Sequence, residues 1–398
     1  MSDTRFEDCI KCTVCTTSCP VSRVNPNYPG PKQAGPDGER LRLKNGALYD
    51  EALSYCINCK RCEVACPSNV KIGDIIQLAR MQYSQKKPIL RDFILSHTDL
   101  MGSLSVPFSP IVNITTGLKP VRQLLDKTLK IDHRRTLPKY GSHTFRRWFR
   151  SIAKQQAQFD EQVAYFHGCY VNFNNPQLGK DLVRVLNAMG IGMQLLENEK
   201  CCGAPLIANN FIAKARKKAS SNVNTLRQTI IEKKLPVIAT SSTCTHTLRD
   251  EYPHMLDIEN ADLRDHIELV TRWIWKQLEA GKTLSLRKMP LKVAYHTACH
   301  MEVMGMAIYT INLLRLIPGV EVQVLDSQCC GIAGTYGFKA ENYQTAQAIG
   351  ASLFEQIEES GADMVITDCE TCKWQIEMST SKSCVHPITL LAQALDVQ

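Results

Sequence analysis

The stretches VIATSSTC at residues 237–244 and VITDCETC at residues 365–372 are two copies of one sequence frame. Each begins with a short apolar run suited to a buried strand; the first ends in one cysteine, Cys244, and the second in two, Cys369 and Cys372. The copies differ at one position that matters for metal binding, because Ser241 stands where the second copy has Cys369. The frame predicts two domains of common ancestry, and the serine raises the question of whether the first copy still binds a metal.

The repeat extends over the second half of the chain. The predicted strands are the apolar runs 163–166, 236–240, 291–295 and 363–367, and the predicted helices are 176–189, 212–234, 303–316 and 341–359. Corresponding cysteines lie 128 or 130 residues apart. Such alternation indicates parallel strands joined by crossover helices. The sequence therefore predicts an α/β fold with repeated domains at 161–288 and 289–398.

Composition limits the class of protein. The chain has 398 residues, of which 44% are apolar, and its 18 cysteines fall in tight clusters. Clustered cysteines in a large chain indicate metal-binding thiolates in a reducing cytoplasm rather than a disulfide framework, and the N-terminal residues contain no apolar run typical of a signal peptide. The most apolar window, 303–314, is shorter than the roughly 20 residues that a membrane-spanning helix needs.

Two cysteine runs occupy the first 87 residues, which we predict to form a separate domain. They read CIKCTVCTTSCP at 9–20 and CINCKRCEVACP at 56–67. In this spacing three cysteines hold one [4Fe-4S] cubane and the fourth, followed by proline, reaches the other cluster. The two predicted ligand sets are therefore Cys9, Cys12, Cys15 and Cys66 for one cubane, and Cys56, Cys59, Cys62 and Cys19 for the other. Zinc is the competing metal for such thiolates.

Two further predictions concern this N-terminal domain. Residues 24–43, rich in proline and glycine, are predicted to be a loop. Residues 70–83 have apolar side chains at helical intervals and are predicted to form a helix.

The connecting segment 88–160 carries most of the positive charge. Residues 119–154 contain eleven Lys or Arg against two Asp, while the whole chain has a net charge of +8. Within it, TFRRWFRSIAKQ at 144–155 places Phe145, Trp148 and Phe149 at helical intervals between arginines. This helix is suited either to lie on an anionic membrane surface or to pack as a strut against the repeated domains. Nucleic acid is not an expected partner.

The cysteines of the second half differ from those of a cubane site. The second copy contains Cys299, Cys329, Cys330, Cys369 and Cys372, and the first copy contains Cys169, Cys201, Cys202 and Cys244. Five thiolates exceed the four that a cubane takes, and adjacent cysteines do not fit one compact cubane. Gly203 and Gly331 follow the cysteine pairs, as expected where the backbone turns close to a metal centre.

These motifs together resemble the CCG-domain iron-sulfur oxidoreductases, a family with tandem ferredoxin motifs followed by two cysteine-rich CCG domains. The resemblance covers nearly the whole chain, including GPKQAGPDGERLRL between the ferredoxin runs and LPKYGSHTFRRW before the first CCG domain. It implies an N-terminal helical two-cluster ferredoxin domain, and a non-cubane [4Fe-4S] cluster on the five cysteines of the second CCG domain. The first CCG domain departs at Ser241, and a cubane, zinc, a cluster with serine oxygen as ligand, or an empty site all remain open.

The resemblance also implies a function. Its members include iron-sulfur subunits that take electrons from a flavoprotein, and the likeness is greatest to those serving the oxidation of glycerol 3-phosphate. We therefore expect an electron-transfer subunit that passes electrons to quinone, peripheral on the cytoplasmic face of the inner membrane. The alternatives are an iron-sulfur subunit of a glycolate or lactate oxidase, a heterodisulfide-reductase-like catalytic subunit, and a zinc-binding scaffold. From motif order alone, we expect the ferredoxin clusters to face the flavoprotein and the complete CCG site to lie nearer the acceptor.

Some residues outside the ligand sets also attract attention. His167, His296 and His300 flank the first cysteine of each CCG domain and suit either hydrogen-bonded structure or the orientation of ligands. Cys384 lies outside the repeat and is predicted to be a small buried side chain. No dinucleotide-binding fingerprint occurs, so no flavin or nucleotide site is expected.

Overall fold

Each CCG domain is built on a four-stranded parallel sheet. The computed structural model describes residues 5–46, 51–84 and 87–396. The strand orders are β2-β1-β3-β4 and β6-β5-β7-β8. The strands are β1 Glu161–Phe166, β2 Ile191–Leu195, β3 Val237–Ala239, β4 Ile267–Leu269, β5 Leu291–Tyr295, β6 Val320–Val324, β7 Met364–Ile366 and β8 Cys384–Val385. Registers of the two sheets correspond, since Ala164 pairs with Val237 and the equivalent Ala294 pairs with Val365.

In the described part of the chain before β1, the regular elements are helices. The N-terminal helices are α1 Val14–Thr17, α2 Pro20–Val24, α3 Gly38–Asn45, α4 Arg61–Val64 and α5 Ile72–Tyr83. The connecting helices are α6 Leu90–Ser96, α7 Thr98–Ser105, α8 Ser109–Gly117, α9 Lys119–Leu129 and α10 Phe145–Gln156. None of the helices in the described ranges combines the length and apolarity needed to cross a bilayer.

Helices cover both sheets. Those of the first CCG domain are α11 Pro176–Ala188, α12 Ala204–Ala208, α13 Ile212–Arg227, α14 Ser242–His246, α15 Tyr252–Leu256 and α16 Val270–Glu279. Those of the second are α17 Cys299–Met304, α18 Ala307–Arg315, α19 Tyr343–Glu359, α20 Glu370–Ser379 and α21 Pro387–Ala394. Shorter 3-10 and π turns join some of these helices.

The predicted α/β class is confirmed, and the four predicted strands lie within one or two residues of β1, β3, β5 and β7. Strands β2, β4, β6 and β8 were not predicted. Strand β6 alternates apolar and polar residues and stays partly exposed, and β8 has only two residues, so neither gives the apolar run of a buried strand. The helix predicted at 303–316 begins only at Ala307, because Gly305 adopts φ +65 and ends the preceding helix.

The predicted loop at 24–43 is wrong in its second part, where α3 begins at Gly38. The Arg42 side chain explains the folded conformation, because it is fully buried and donates hydrogen bonds to the carbonyl oxygens of Ala34 and Gly35. Its Nε also donates to Glu39, 2.8 Å away. The sequence pattern of prolines and glycines does not reveal that Arg42 is buried against this turn. The helix predicted at 70–83 is confirmed as α5.

The two CCG domains share one hydrophobic core. Buried side chains of the first sheet, such as Tyr165, belong to the same cluster as Tyr295 of the second sheet and Leu390 of α21. Helix α21 packs on α11 of the other domain. The two halves are therefore held together over a broad apolar contact.

The aromatic side of α10 is part of this core. Phe145 and Phe149 are 0% and 5% exposed, and Trp148 and Ile152 pack against the same cluster. Gly179 of α11 provides the space, since a Cβ there would lie 2.5 Å from the Phe145 ring. This burial matches the strut interpretation of α10, because the aromatic rings needed for insertion into a membrane already contact protein.

We expect Phe145→Ala to lower the free energy of unfolding by about 3–5 kcal/mol, since it leaves a cavity in the shared core. The matched control is Arg150→Ala on the exposed side of the same helix, expected to change it by about 0.5 kcal/mol or less. Urea unfolding of the two variants measures the difference. Equal stability of both variants would contradict the strut interpretation.

Candidate metal centres

The N-terminal cysteines gather into the two crossed sets. Burial raises the pKa of the Cys15 thiol, and its neighbours Cys9, Cys66 and Cys12 add to the rise. In the same way burial raises the pKa of Cys19 to about 11, with Cys59 and Cys56 contributing. Each set thus contains three cysteines of one run and the last cysteine of the other. This arrangement suits two cubanes held by crossed ligands.

Backbone amides already point at several of these sulfurs. The N–H groups of Asn58 and Val70 donate to the sulfurs of Cys56 and Cys66, at 3.5 and 3.4 Å. Gln77 Nε2 lies 3.8 Å from Cys56 Sγ. Hydrogen bonds to cluster sulfurs are one of the ways in which a protein adjusts a cluster's reduction potential.

The cysteines of the CCG domains follow the carboxyl ends of parallel strands. In the second domain Cys299 follows β5, the pair Cys329 and Cys330 follows β6, and Cys369 and Cys372 follow β7. The carboxyl ends of parallel strands meet at one edge of the sheet, where ligand sites of α/β folds usually lie. The sulfurs of Cys330 and Cys372 are 3.3 Å apart, so these separate segments converge.

The first domain places its four cysteines at the equivalent edge. Cys169 follows β1, Cys201 and Cys202 follow β2, and Cys244 lies in α14 after β3. The sulfurs of Cys169 and Cys201 are 3.9 Å apart. Four buried or partly buried thiols therefore converge here, which is a sufficient set for a metal centre.

Ser241 has a structural role in the first domain. Its Oγ accepts the Cys244 backbone N–H at 3.2 Å, which caps α14, and donates to Glu370 Oε1 of the second domain at 3.2 Å. The adjacent Ser242 donates through both its N–H and its hydroxyl to the Asp368 carbonyl. The serine hydroxyl is therefore engaged by two protein partners, and this contact joins the cysteine loops of the two domains.

One cavity connects the three cysteine-rich parts of the chain. It has a volume of about 160 Å³ and is lined by Cys59 of the N-terminal domain together with cysteines of both CCG domains. The lining cysteines of the CCG domains are Cys169, Cys202, Cys244, Cys299, Cys329, Cys330, Cys369 and Cys372. Side-chain hydrogen bonds with Cys329 and Cys59 raise the pKa of Cys299, so the second CCG site directly contacts the ferredoxin segment. We name this space the central cavity.

Arg61 strengthens the same junction. Its guanidinium donates to the Ser327 carbonyl at 2.8 Å and pairs with Glu302 at 3.2 Å, next to the second CCG site. Lys60 is also buried and pairs with Asp74. The two basic residues of the second ferredoxin run are therefore structural contacts rather than solvated loop residues.

The donor atoms fit metal clusters. Burial raises the pKa of Cys62 well above its ordinary value, which means that its thiolate is costly without a compensating cation. The imidazole of His296 is 0% exposed, and neither of its nitrogens has a hydrogen-bond partner among the described residues. A ring nitrogen of His296 and the sulfurs of Cys330 and Cys372 lie within 4.8 Å of one another. A buried imidazole that lies next to thiols and has no hydrogen-bond partner is expected where a bound iron-sulfur cluster would supply the missing partner.

The glycines after the cysteine pairs differ in their constraints. Both have positive φ, +95 for Gly203 and +85 for Gly331. A Cβ on Gly331 would lie 1.9 Å from the Ala346 carbonyl oxygen, whereas a Cβ on Gly203 would meet nothing closer than 3.9 Å. The positive φ therefore favours glycine in both domains, and only in the second does a close backbone contact also exclude a side chain.

Three features were not found by sequence reasoning. The buried Glu370 contacts Ser241, and burial raises its pKa to about 7. Glu199 accepts the N–H groups of His167 and Gly168 beside the first site, and burial raises its pKa to about 8. A cleft of about 510 Å³ opens beside the first site. The sequence signal that could have indicated Glu370 is its position directly after a predicted ligand cysteine. Cys384 is fully buried, as predicted.

Comparison with known proteins agrees with this organisation. Residues 5–70 match the family described as the 4Fe-4S dicluster domain. Residues 163–249 and 293–377 match the family described as the cysteine-rich (CCG) domain. The two families together account for the three cysteine-rich parts that the central cavity connects.

Among curated proteins, the anaerobic glycerol-3-phosphate dehydrogenase C subunit of Escherichia coli K12 is 74% identical over 99% of this chain and 100% of its own length. The E. coli glycolate oxidase iron-sulfur subunit is 23% identical over 99% of this chain and 95% of its length. The CoM/CoB fumarate reductase B subunit of Methanothermobacter marburgensis is 24% identical over 95% of this chain and 69% of its length. The chain thus belongs to the iron-sulfur family with a 4Fe-4S dicluster domain and two CCG domains, and within it to the anaerobic glycerol-3-phosphate dehydrogenase C subunits.

Proposed function

We propose that the chain is the electron-transfer subunit of a glycerol-3-phosphate dehydrogenase, taking electrons from a flavoprotein partner and delivering them to membrane quinone. The observation that carries this proposal is the central cavity, where a ferredoxin cysteine and both CCG cysteine sets meet. Redox centres must lie close together for electron relay, and this arrangement supplies adjacent ligand sets. The 74% identity to a dehydrogenase subunit supports the choice of enzyme.

Three or four clusters would be held by the cysteine sets. Cys9, Cys12, Cys15 and Cys66 would bind one cubane, and Cys56, Cys59, Cys62 and Cys19 the other. The second CCG site would hold a non-cubane cluster, and the first CCG site would hold a cluster or zinc. When bound, iron-sulfur clusters accept and release single electrons.

The chain's own residues shape the environment of these sites. The two domains bury their thiols at one junction, where the low dielectric strengthens the interactions between neighbouring charged groups. Backbone amides such as Gly331 N–H, 3.4 Å from Cys329 Sγ, donate to sulfur. Ser241, Ser242 and Arg61 fix the relative positions of the three cysteine-rich parts. Oxidation of glycerol 3-phosphate to dihydroxyacetone phosphate would take place on the partner flavoprotein.

An apolar surface on α6 to α9 supports attachment to the membrane. Nine exposed large apolar side chains lie between residues 89 and 124 in the described part of the chain. They are Ile89, Leu90, Leu100, Leu104, Phe108, Ile111, Ile114, Leu118 and Leu124. Those from 100 to 118 are three or four residues apart, the spacing of one helical stripe. Exposed Lys119, Lys127 and Lys130 follow, which favours an anionic cytoplasmic leaflet. We name these nine residues the apolar helical surface.

We expect glycerol 3-phosphate and the flavoprotein partner to reduce the iron-sulfur signals of the iron-loaded chain, whereas glycolate with the same flavoprotein does not. Cys329→Ala should lose about four iron per chain and abolish quinone reduction, since it removes a ligand of one four-iron centre. Cys384→Ala is the matched control, because it deletes a buried thiol outside the ligand sets and should retain the full iron content. Metal analysis and low-temperature EPR on anaerobic protein measure these outcomes. Reduction by glycolate instead would assign the chain to the alternative hydroxyacid oxidases.

We expect Ile111→Glu with Ile114→Glu to weaken binding to phosphatidylglycerol-containing vesicles by at least about tenfold, because each apolar side chain contributes about 1.5–3 kcal/mol on burial. Ile308→Glu with Leu316→Glu is the control, since these exposed side chains lie outside the apolar helical surface. Co-sedimentation with vesicles gives the binding constants. Equal loss in both double variants would show that the apolar helical surface is not the attachment site.

A further inference from the structure

The cleft beside the first CCG site differs from the central cavity in size and access. Its volume is about 510 Å³, against about 160 Å³ for the central cavity. Only the larger of these volumes falls in the usual range of sites for small organic ligands, about 300–1,000 Å³. The cleft lies between α7 and the cysteine loops of the first domain, lined among others by Leu100, Asn172, Phe173, Cys201 and Lys218. We name it the first-domain cleft.

The first-site thiols separate this cleft from the central cavity. Cys202 and Cys244 line the central cavity, Cys201 lines the cleft, and Cys169 lines both. On its other side the central cavity reaches the ferredoxin segment at Cys59, next to Cys299 of the second site. Cys59 of the ferredoxin segment therefore contacts the second CCG site, and the first-site thiols lie between the central cavity and the cleft. Motif order along the chain had suggested that the second site lies nearer the acceptor.

The first-domain cleft opens at the apolar helical surface. Leu100 lines the cleft and is 43% exposed, and Leu104 on the next turn of α7 is 60% exposed. Helix α7 packs closely on the cleft floor, since a Cβ on Gly102 would lie 2.3 Å from the Phe173 ring. A ligand with an apolar tail could therefore keep its tail on the membrane-facing helices while its head enters the cleft.

Polar donors are present inside the cleft. Asn172 is 7% exposed, and its Oδ1 accepts the Arg146 backbone N–H. Its Nδ2 has no hydrogen-bond partner among the described residues and is free to donate. Lys218 Nζ is held by both oxygens of Asp99 at 2.7 Å and retains a further N–H. Such donors match an acceptor with two carbonyl oxygens on a flat ring.

We propose that the first-domain cleft binds the head group of a tailed quinone, with Asn172 and Lys218 donating hydrogen bonds to its carbonyl oxygens. This inference rests on the proposed function and places its acceptor site. Each quinone takes up two electrons and two protons and leaves as the quinol. Oxidation of the dehydrogenase substrate supplies the electrons, and water in the open cleft supplies the protons.

Photolabelling tests the binding site without depending on turnover. The iron-loaded chain on vesicles is irradiated with a decyl-tailed azido-benzoquinone, and labelled peptides are identified by mass spectrometry. We expect labels on residues 97–105 or 172–173, and competition by unlabelled decyl-benzoquinone. Labels confined to other parts of the chain would overturn the proposal.

A matched pair of lysines gives the second test. Lys218→Met should weaken photolabelling and raise the KM for decyl-benzoquinone by about tenfold, the effect expected for losing one hydrogen bond to a charged donor. Lys217→Met removes the neighbouring exposed charge on α13 and should leave both unchanged. Equal values for the two variants would overturn the proposal. A wild-type complex that reduces ferricyanide with glycerol 3-phosphate but never quinone would instead contradict the proposed function.

A different observation, the unsatisfied imidazole of His296, carries a second inference. His296 is fully buried with both nitrogens unpartnered in the described structure, near the sulfurs of Cys330 and Cys372. An imidazole carries at least one N–H in its neutral and its protonated form, so His296 has a donor available on this side. The corresponding His167 of the first domain is satisfied, with Nδ1 2.8 Å from the Gly168 carbonyl and Nε2 accepting from Arg146.

We infer that His296 donates its N–H to a ligand sulfur of the second CCG centre and so raises the reduction potential of that centre. Hydrogen bonds to sulfur stabilise the added negative charge of the reduced form. The histidine is thus a tuning residue for the second site, with no equivalent role for His167.

EPR-monitored redox titration tests this role. His296→Leu should lower the midpoint potential of one EPR signal by about 59 mV. For a one-electron centre, this shift corresponds to an about tenfold lower ratio of reduced to oxidised centre at a fixed potential. His296→Gln retains an N–H donor and should restore most of the shift, and His167→Leu should leave this signal unchanged. An unchanged potential in His296→Leu with full iron content would overturn the inference. So would a strong nitrogen hyperfine coupling in the wild type, because that coupling indicates a direct iron ligand.

Discussion

The structure depends on the burial of many thiols at one junction between two parallel sheets. Thiols can be buried readily, but thiolates cannot unless a cation compensates them. The carboxyl ends of β1, β2 and β3 face those of β5, β6 and β7 through the Ser241–Glu370 and Ser242–Asp368 contacts. Neither domain encloses the central cavity alone. Folding, domain pairing and metal binding are consequently parts of one process.

The sequence predicted those parts of the fold in which one residue type repeats at a fixed interval. The cysteine frames located both CCG domains, and the apolar runs located the central strands β1, β3, β5 and β7. The outer strands escaped prediction because β6 is half polar and β8 is very short. Helix α3 escaped because its anchor, the buried Arg42, makes contacts that local composition does not show.

The connecting helices show a second limit of prediction from sequence patterns. Aromatic residues alternating with arginines in α10 suit either a membrane interface or a protein core. Only the tertiary packing distinguishes these two possibilities. The core holds Phe145 and Phe149, whereas Arg147 and Arg150 are exposed and Arg146 donates hydrogen bonds to the first CCG domain. The apolar side chains that do reach the surface lie upstream, in helices interrupted by prolines, for which no helix was predicted from the sequence. The first-domain cleft was equally hidden, since Asp99 and Lys218 meet only through the fold.

Gly203 and Gly331 differ in the space around them, and this difference bears on how the two repeated domains have diverged. The second domain admits no side chain at Gly331, keeps all five cysteines and contacts the ferredoxin segment. The first domain has space beside Gly203, has exchanged a thiol for a helix-capping serine, and has opened a wide cleft. The turn after each cysteine pair thus favours glycine through its positive φ, and only the second copy adds a steric clash with the Ala346 carbonyl. Space for sequence change is therefore greater in the first copy.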